Sequence, residues 1–386
     1  MSRVRVAIIC DMLEEGWTSM DITGDLLLEH LRTDHGSMFD ATRVRFPMRR
    51  RLTRPSVYTG KRFNAERLVN RFWDYPRALR VARGQFDLFH IVDHSYAQLV
   101  HALPAERTIV TCHDVDTFRS ILEPDRVRKS WAFRAMTRRV MNGLRRAAYV
   151  TCDSEATRAE LLTHRSLPTG RPAVAYLGVY PGCTPDPDPE VDAEAARIVP
   201  QRPNAIELLH VGSTIPRKRI DVLLRVFAEV RRRVPNVHLV RIGGEFTPAQ
   251  AALVQELGID PDAVTVRSHV HRSIMPGLYR RAALVLQPSD AEGFGLPVAE
   301  ALACGALVVA SNLPVLREVG GSAAVYRPVG DIDGWTDSVV DLLRQRAVCP
   351  AEWSGRSMAA VQHASQFSWR RFASTCADVY TKVLNL

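Results

Sequence analysis

The stretch Gln287-Pro-Ser-Asp-Ala-Glu292-Gly-Phe-Gly295-Leu-Pro297-Val-Ala-Glu300-Ala301 joins a short apolar run, residues 283–287, to a helical pattern over residues 296–305. A short, continuous apolar run fits a parallel strand buried on both faces. Gly293 and Gly295 let the backbone turn tightly and approach a ligand. Pro297 suits the first turn of a helix, where its missing N–H is not needed. The free N–H groups of that turn, with the helix dipole, attract an anion. A diphosphate or sugar hydroxyls would suit the position. Glu292 stands before the glycines, and Glu300 about one turn into the helix. The alternative is a loop and helix bearing two solvated glutamates.

The same alternation of strand and helix runs outward in both directions. After the middle of the chain, residues 206–211, 237–242, 263–266, 307–310 and 324–327 read as further strands. Residues 220–234, 249–258 and 314–320 read as helices between them. Before the middle, strands are expected at 4–10, 87–93, 108–112, 148–152 and 173–178, with helices at 20–31 and 130–147. Residues 181–203 are rich in Pro and Asp, with Pro185, Pro187 and Pro189 at alternate positions, which reads as a linker. Two rounds of strand–helix units give an α/β protein of two facing Rossmann-like domains. The expected division is 1–180, a linker at 181–204, a second domain at 205–366, and a terminal helix at 367–386.

Composition agrees. A chain of 386 residues, 46% apolar and 24% charged, fits two soluble domains with a core each. The longest apolar stretches, 282–286 and 306–310, are far too short to span a bilayer. Residues 1–10 interleave charges with apolar residues and read as a strand rather than a signal peptide. The seven cysteines have no CxxC spacing, so zinc or redox sites are not indicated, and a reducing, cytoplasmic setting follows. The net charge is +9. Arg43, Arg45, Arg49, Arg50, Arg51, Arg54, Lys61, Arg62 and Arg67 fall in one stretch, and Arg126, Arg128 and Lys129 form another. Such a field suits phosphates or acidic lipid headgroups, the alternative being a solvated basic face. No nucleic-acid-binding module is recognisable.

A second cluster lies in His210-Val-Gly212-Ser213-Thr-Ile-Pro-Arg217-Lys218-Arg-Ile-Asp-Val-Leu-Leu224, again strand, loop and helix. Cations at a helix start gain nothing from its dipole. A diphosphate accounts for them, Arg217 clamping it bidentately and Lys218 acting as a point charge. A solvated Arg-Lys face is the alternative.

With these residues the chain resembles the retaining family-4 glycosyltransferases of GT-B fold. The resemblance rests on Glu292 to Glu300, the family's E-x7-E motif, continuing through Gly305, Ser311, Pro314 and Glu318, and on the Gly212 to Lys218 loop. It implies transfer of a hexose-type sugar from a UDP- or GDP-linked donor, with retention, to a saccharide or lipid-linked acceptor. Cell-surface polysaccharide or glycoconjugate synthesis would be the setting. It implies that Glu292 contacts the donor sugar at the reacting centre and Glu300 the ribose. The backbone of Gly293, Phe294, Gly295, Leu296 and Val298 would hold sugar and phosphate, with Gly212 and Ser213 beside Arg217 and Lys218. Gly243-Gly244-Glu245 would line the base pocket, or form a plain turn, and Val270 would meet the base through its backbone. His113, at the end of a buried strand, would line the reaction centre, the alternative being a hydrogen-bonded histidine. Relatives carry Gly-Gly after the first strand; here Gly16 or the Ser19 amide would serve. Ser154 and Glu155 match a family stretch but fit helix capping equally. Residues 367–386 resemble the C-terminal helix that crosses back to the first domain. Asp114-Val-Asp116, Asp186-Pro-Asp188 and Asp331-Ile-Asp333 are read as chance acidic pairs. No metal and no cofactor are expected, the nucleotide sugar being a substrate. A nucleotide-sugar 2-epimerase, a sugar phosphorylase or synthase, and a non-catalytic sugar-nucleotide-binding subunit remain as alternatives. Peripheral attachment to the inner membrane face is the further expectation.

Overall fold

A computed structural model describes residues 3–54, 56–164, 167 and 170–385. The chain divides into two units, Met1–Gly178 with Ser368–Leu386, and Val179–Phe367.

In the first unit the strands are β1 (Val4–Ile9), β2 (Phe39–Val44), β3 (Leu88–Ile91), β4 (Thr108–Cys112), β5 (Tyr149–Cys152) and β6 (Pro172–Val174). They form one parallel sheet in the order β2-β1-β3-β4-β5-β6. β3 and β4 are wholly buried, as continuous apolar strands between helical layers must be. β2 was not expected. Its residues alternate Phe39, Ala41 and Val44 inward with exposed Asp40, Thr42 and Arg43, and an edge strand of that kind lacks the apolar run that reveals the central ones. The helix Trp369–Leu384 packs in this unit. Its Tyr380 meets Phe39 edge-on at 5.5 Å, and its hydroxyl lies 2.5 Å from His90 Nδ1.

In the second unit β7 (Ile206–Val211), β8 (Val237–Ile242), β9 (Val264–Arg267), β10 (Leu284–Gln287), β11 (Val308–Ser311) and β12 (Val325–Arg327) are parallel, in the order β12-β11-β10-β7-β8-β9. The chain leaves β7 toward β8 on one side and returns through β10 on the other. A crevice therefore opens beyond the carboxyl ends of β7 and β10, where such sheets bind ligands.

Residues 181–204 are not simply a linker. They carry the helix Pro189–Ile198, packed within the second unit. Arg280 pairs with Asp192 at 2.5 Å, and Ala195 is fully buried. The Asp and Pro that suggest punctuation start this helix: Asp188 caps the N–H groups of Glu190 and Val191 at 3.1 Å, and Pro189 opens its first turn.

Candidate functional site

The loops after β7 and β10 are fastened together at that crevice. Asp290 N–H donates to the Arg217 carbonyl at 2.8 Å, Arg217 Nη1 to the Ala291 carbonyl at 3.0 Å, and Arg219 Nη1 to Asp290 Oδ1 at 2.9 Å. Between them Lys218 Nζ donates to both carboxylate oxygens of Glu292, at 2.7 and 2.9 Å. Glu292 Oε1 also accepts from Gln287 Nε2 at 2.6 Å and Ser289 Oγ at 2.7 Å. Burial alone would raise the Glu292 carboxyl, but Lys218, Ser289 and Arg217 outweigh it and hold it below the usual range. Glu292 is thus an ionised carboxylate held in place by four groups. The sequence pairs Arg217 with Lys218 and leaves Glu292 apart; the structure joins all three.

Beyond Glu292 the chain turns at Gly295, φ +98°, where a Cβ would stand 2.7 Å from Leu316 Cδ2. The helix Leu296–Ala303 follows, with Pro297 in its first turn. Phe294 is buried edge-on against Phe367 at 5.4 Å, so its side chain anchors the loop. Val298 is fully buried and its N–H closes on the Gly295 carbonyl at 2.9 Å, so it secures the turn.

Glu300 sits in the helix and accepts from Arg272 Nη2 and from the Tyr279 hydroxyl, each at 3.2 Å. Burial raises its pKa, against the opposing pull of Arg272. Arg272 itself lies over the Tyr180 ring at 5.0 Å. The sequence places Tyr279 in the core, and it is buried there, but its hydroxyl also serves Glu300. Arg272 has no sequence signal beyond its place after His271.

The third side is made by the loops after β8 and β9. Gly243 has φ +117°, and a Cβ there would lie 2.4 Å from the Gly212 carbonyl oxygen. Gly212 and Gly243 therefore bring two loop backbones into direct contact, with Ser213 next along. Glu245 Oε1 accepts from Ser268 Oγ at 2.5 Å. Val270 is half-buried on the loop after β9.

In the first unit His113 follows β4 and is 6% exposed. Its Nδ1 lies 2.5 Å from Asp153 Oδ2, and its Nε2 is 2.7 Å from the Val92 carbonyl. Both ring nitrogens face acceptors, so both carry protons. Burial opposes the charge, yet the adjoining carboxylates of Asp153 and Asp93 lift His113 to about 9. Both ring nitrogens are thus engaged by protein acceptors. Ser154 caps the helix Glu155–Thr163. Gly16 has φ +70°, and its N–H closes on the Leu13 carbonyl at 3.1 Å. Ser19 is exposed in the first turn of the helix Thr18–Asp34.

The basic stretch is largely matched within its own unit. Arg43 pairs with Asp25, Arg45 with Asp21, Arg51 with Asp74 at 2.7 Å, and Arg50 and Arg67 lie 3.9 Å from Glu66 and Glu15. The free positive field expected there is accordingly much reduced.

The chain is similar to known proteins. Residues 31–182 match the family described as Glycosyltransferase Family 4, and residues 205–345 match Glycosyl transferases group 1. The chain is a family-4 glycosyltransferase. Among curated relatives of this glycosyltransferase, the O-antigen chain mannosyltransferase B of Escherichia coli is 28% identical over 315 residues, 79% of this chain and 78% of that one. The D-inositol 3-phosphate glycosyltransferase of Mycolicibacterium smegmatis is 33% identical over 220 residues, 54% of this chain and 47% of the relative. Among solved structures, the sucrose-phosphate synthase of Thermosynechococcus elongatus superposes with a TM-score of 0.75 at 18% identity, covering 99% of this chain and all of that one. WaaG, a glycosyltransferase involved in lipopolysaccharide biosynthesis, superposes with a TM-score of 0.71 at 16% identity, covering 98% and 99%. At these identities the structural likeness is one of fold, and the fold is GT-B.

Proposed function

We propose that this glycosyltransferase moves a hexose-type sugar from a UDP- or GDP-linked donor to a saccharide or lipid-linked acceptor, with retention, in cell-surface polysaccharide or glycoconjugate synthesis. The observation that carries the reading is the buried Lys218–Glu292 pair, with Arg217 beside it, at the crevice between β7 and β10. As the donor bond breaks, charge grows on the leaving diphosphate. Arg217 and Lys218 would stabilise it, and the proposal includes no metal ion. Glu292 presents a fixed carboxylate to the sugar, and Glu300, aligned by Arg272 and Tyr279, accepts from the ribose hydroxyls. The similarity to the O-antigen chain mannosyltransferase B of Escherichia coli supports a saccharide or lipid-linked acceptor. Against the alternatives of epimerase, phosphorylase or synthase, and non-catalytic subunit, the test is turnover. The enzyme incubated with UDP- and GDP-hexoses and a lipid-linked oligosaccharide should release nucleoside diphosphate and give a product of the donor's anomeric configuration by NMR. An inverted product overturns retention; donor binding without release overturns catalysis.

We also propose a cytoplasmic enzyme attached at an anionic membrane surface. Among the described residues no helix is long and apolar enough to cross a membrane. Residues 75–86 and 126–152 contain no Asp or Glu and carry exposed arginines. Arg139 meets Trp73, Arg77 and Arg80 around one surface depression, and Trp73 and Trp131 are 62% and 79% exposed. Cations among exposed tryptophans suit an acidic lipid surface.

A further inference from the structure

Arg241, near the end of β8, is fully buried and stands beside His210 of β7 in the sheet. Its guanidinium donates from Nη2 to the Gly212 carbonyl at 3.2 Å and from Nη1 to the Gly244 carbonyl, and it lies 5.5 Å from the centre of the Phe246 ring. Among the described residues Glu245 is the carboxylate that favours its charge, and that side chain is held by Ser268. His210 is also buried, with no partner on either ring nitrogen among the described residues, and is held near 3 by burial and by the charges of Arg241 and Lys218. Three basic side chains therefore stand behind the Gly212 loop. A buried charge without an ion-pair partner is costly unless something offsets it.

Backbone geometry supplies the rest. Among the described residues there are no cis peptides, and in a trans peptide the carbonyl and the following N–H point in opposite directions. With the Gly212 and Gly244 carbonyls turned onto Arg241, the N–H groups of Ser213 and Glu245 are turned away from it. Among the described residues neither N–H has a protein acceptor. The arrangement depends on Gly243 and Gly244 at φ +117° and +124°, which let the two loops touch. Outward amides backed by a cation make an anion-binding concavity.

We infer that Arg241 is a positioning residue of a phosphate subsite: by holding the carbonyls of Gly212 and Gly244 it aims the Ser213 and Glu245 amides at a nucleoside diphosphate and supports that anion through the loop. The inference rests on the donor reading above. The test is calorimetry on the full chain with UDP and GDP, alongside competition by uridine and guanosine, for wild type, Arg241→Met and Arg241→Lys. Diphosphate affinity should fall at least tenfold in Arg241→Met while nucleoside affinity stays within twofold. Arg241→Lys should be intermediate, since one ammonium cannot hold both carbonyls as the planar guanidinium does. Equal losses for nucleoside and diphosphate overturn the inference, because they mark general damage to the unit. Wild-type diphosphate affinity in either variant overturns it as well; if Arg241→Met does not fold, the lysine variant decides. A wild type that binds neither UDP nor GDP instead sinks the donor reading itself.

Discussion

Lys218 Nζ lies within 2.9 Å of both carboxylate oxygens of Glu292, so the cation proposed for the leaving group and the carboxylate proposed for the sugar form an ion pair. A diphosphate arriving at this crevice competes with Glu292 for Lys218. Lys218→Ala should weaken UDP or GDP binding by roughly 1.5–3 kcal/mol, the worth of a hydrogen bond to a charged group. It should also lower stability by on the order of 3 kcal/mol, because a buried carboxylate loses its partner. Calorimetry and urea unfolding check the two effects, and unchanged diphosphate affinity would remove Lys218 from the site.

Glu292 and Glu300 should separate kinetically. Interactions made only in the transition state act on kcat, whereas uniform binding acts on KM. Glu292→Gln should chiefly lower kcat without weakening nucleoside diphosphate affinity, since it loosens the hold of Glu292 on Lys218. Glu300→Gln should weaken donor and free nucleoside diphosphate alike, by about 1–3 kcal/mol. A wild-type kcat in Glu292→Gln would place the reaction centre elsewhere.

Gly243→Ala tests the contact between the loops after β7 and β8. The new Cβ would meet the Gly212 carbonyl oxygen at 2.4 Å, at a φ of +117°. A destabilisation of about 1–3 kcal/mol is expected, with a larger fractional loss of donor affinity than of folded protein. A variant that melts and binds as the wild type does would show that the loops part without consequence.

The His113–Asp153 pair predicts a pH dependence of stability. The pKa of His113 is raised from 6.5 to about 9 on folding. Below pH 6.5 the imidazole is protonated in both states and the contribution is fully present. It declines as pH rises through the folded value and is gone above it. Burial also pushes Asp153 upward, but the ionised pair is the state in which both His113 N–H groups have acceptors. Urea midpoints should therefore fall between pH 6.5 and 9 in the wild type, and much less in His113→Gln. Parallel profiles for the two proteins would show that the pair is not ionised.

Vesicle co-sedimentation distinguishes the two basic regions. Binding to anionic vesicles, weakened by salt, should be lost when Arg77, Arg80 and Arg139 become Gln. It should survive substitution of Arg43 and Arg45, which are paired with Asp25 and Asp21. Equal binding to neutral vesicles would refute the electrostatic surface.

What the sequence determined by itself is whatever depends on local order. Continuous apolar runs identified the central strands, because a strand covered on both faces admits no polar alternation. The Glu292-to-Glu300 stretch declared its strand, loop and helix, because glycine and proline restrict a backbone wherever they stand. Local signals failed where a residue's meaning depends on what packs against it. Phe39–Val44 alternates like a surface segment until β1 pairs with it. Asp188 and Pro189 look like a break until a helix starts on them. Tertiary structure alone decided that Lys218 meets Glu292 across 74 residues of chain, that Arg272 and Tyr279 align Glu300, and that Arg241 is buried beneath two loop carbonyls. Charge and hydrogen bonding act through a few ångströms of space, and the sheet order, which places β10 beside β7, is what brings those distant residues within that range.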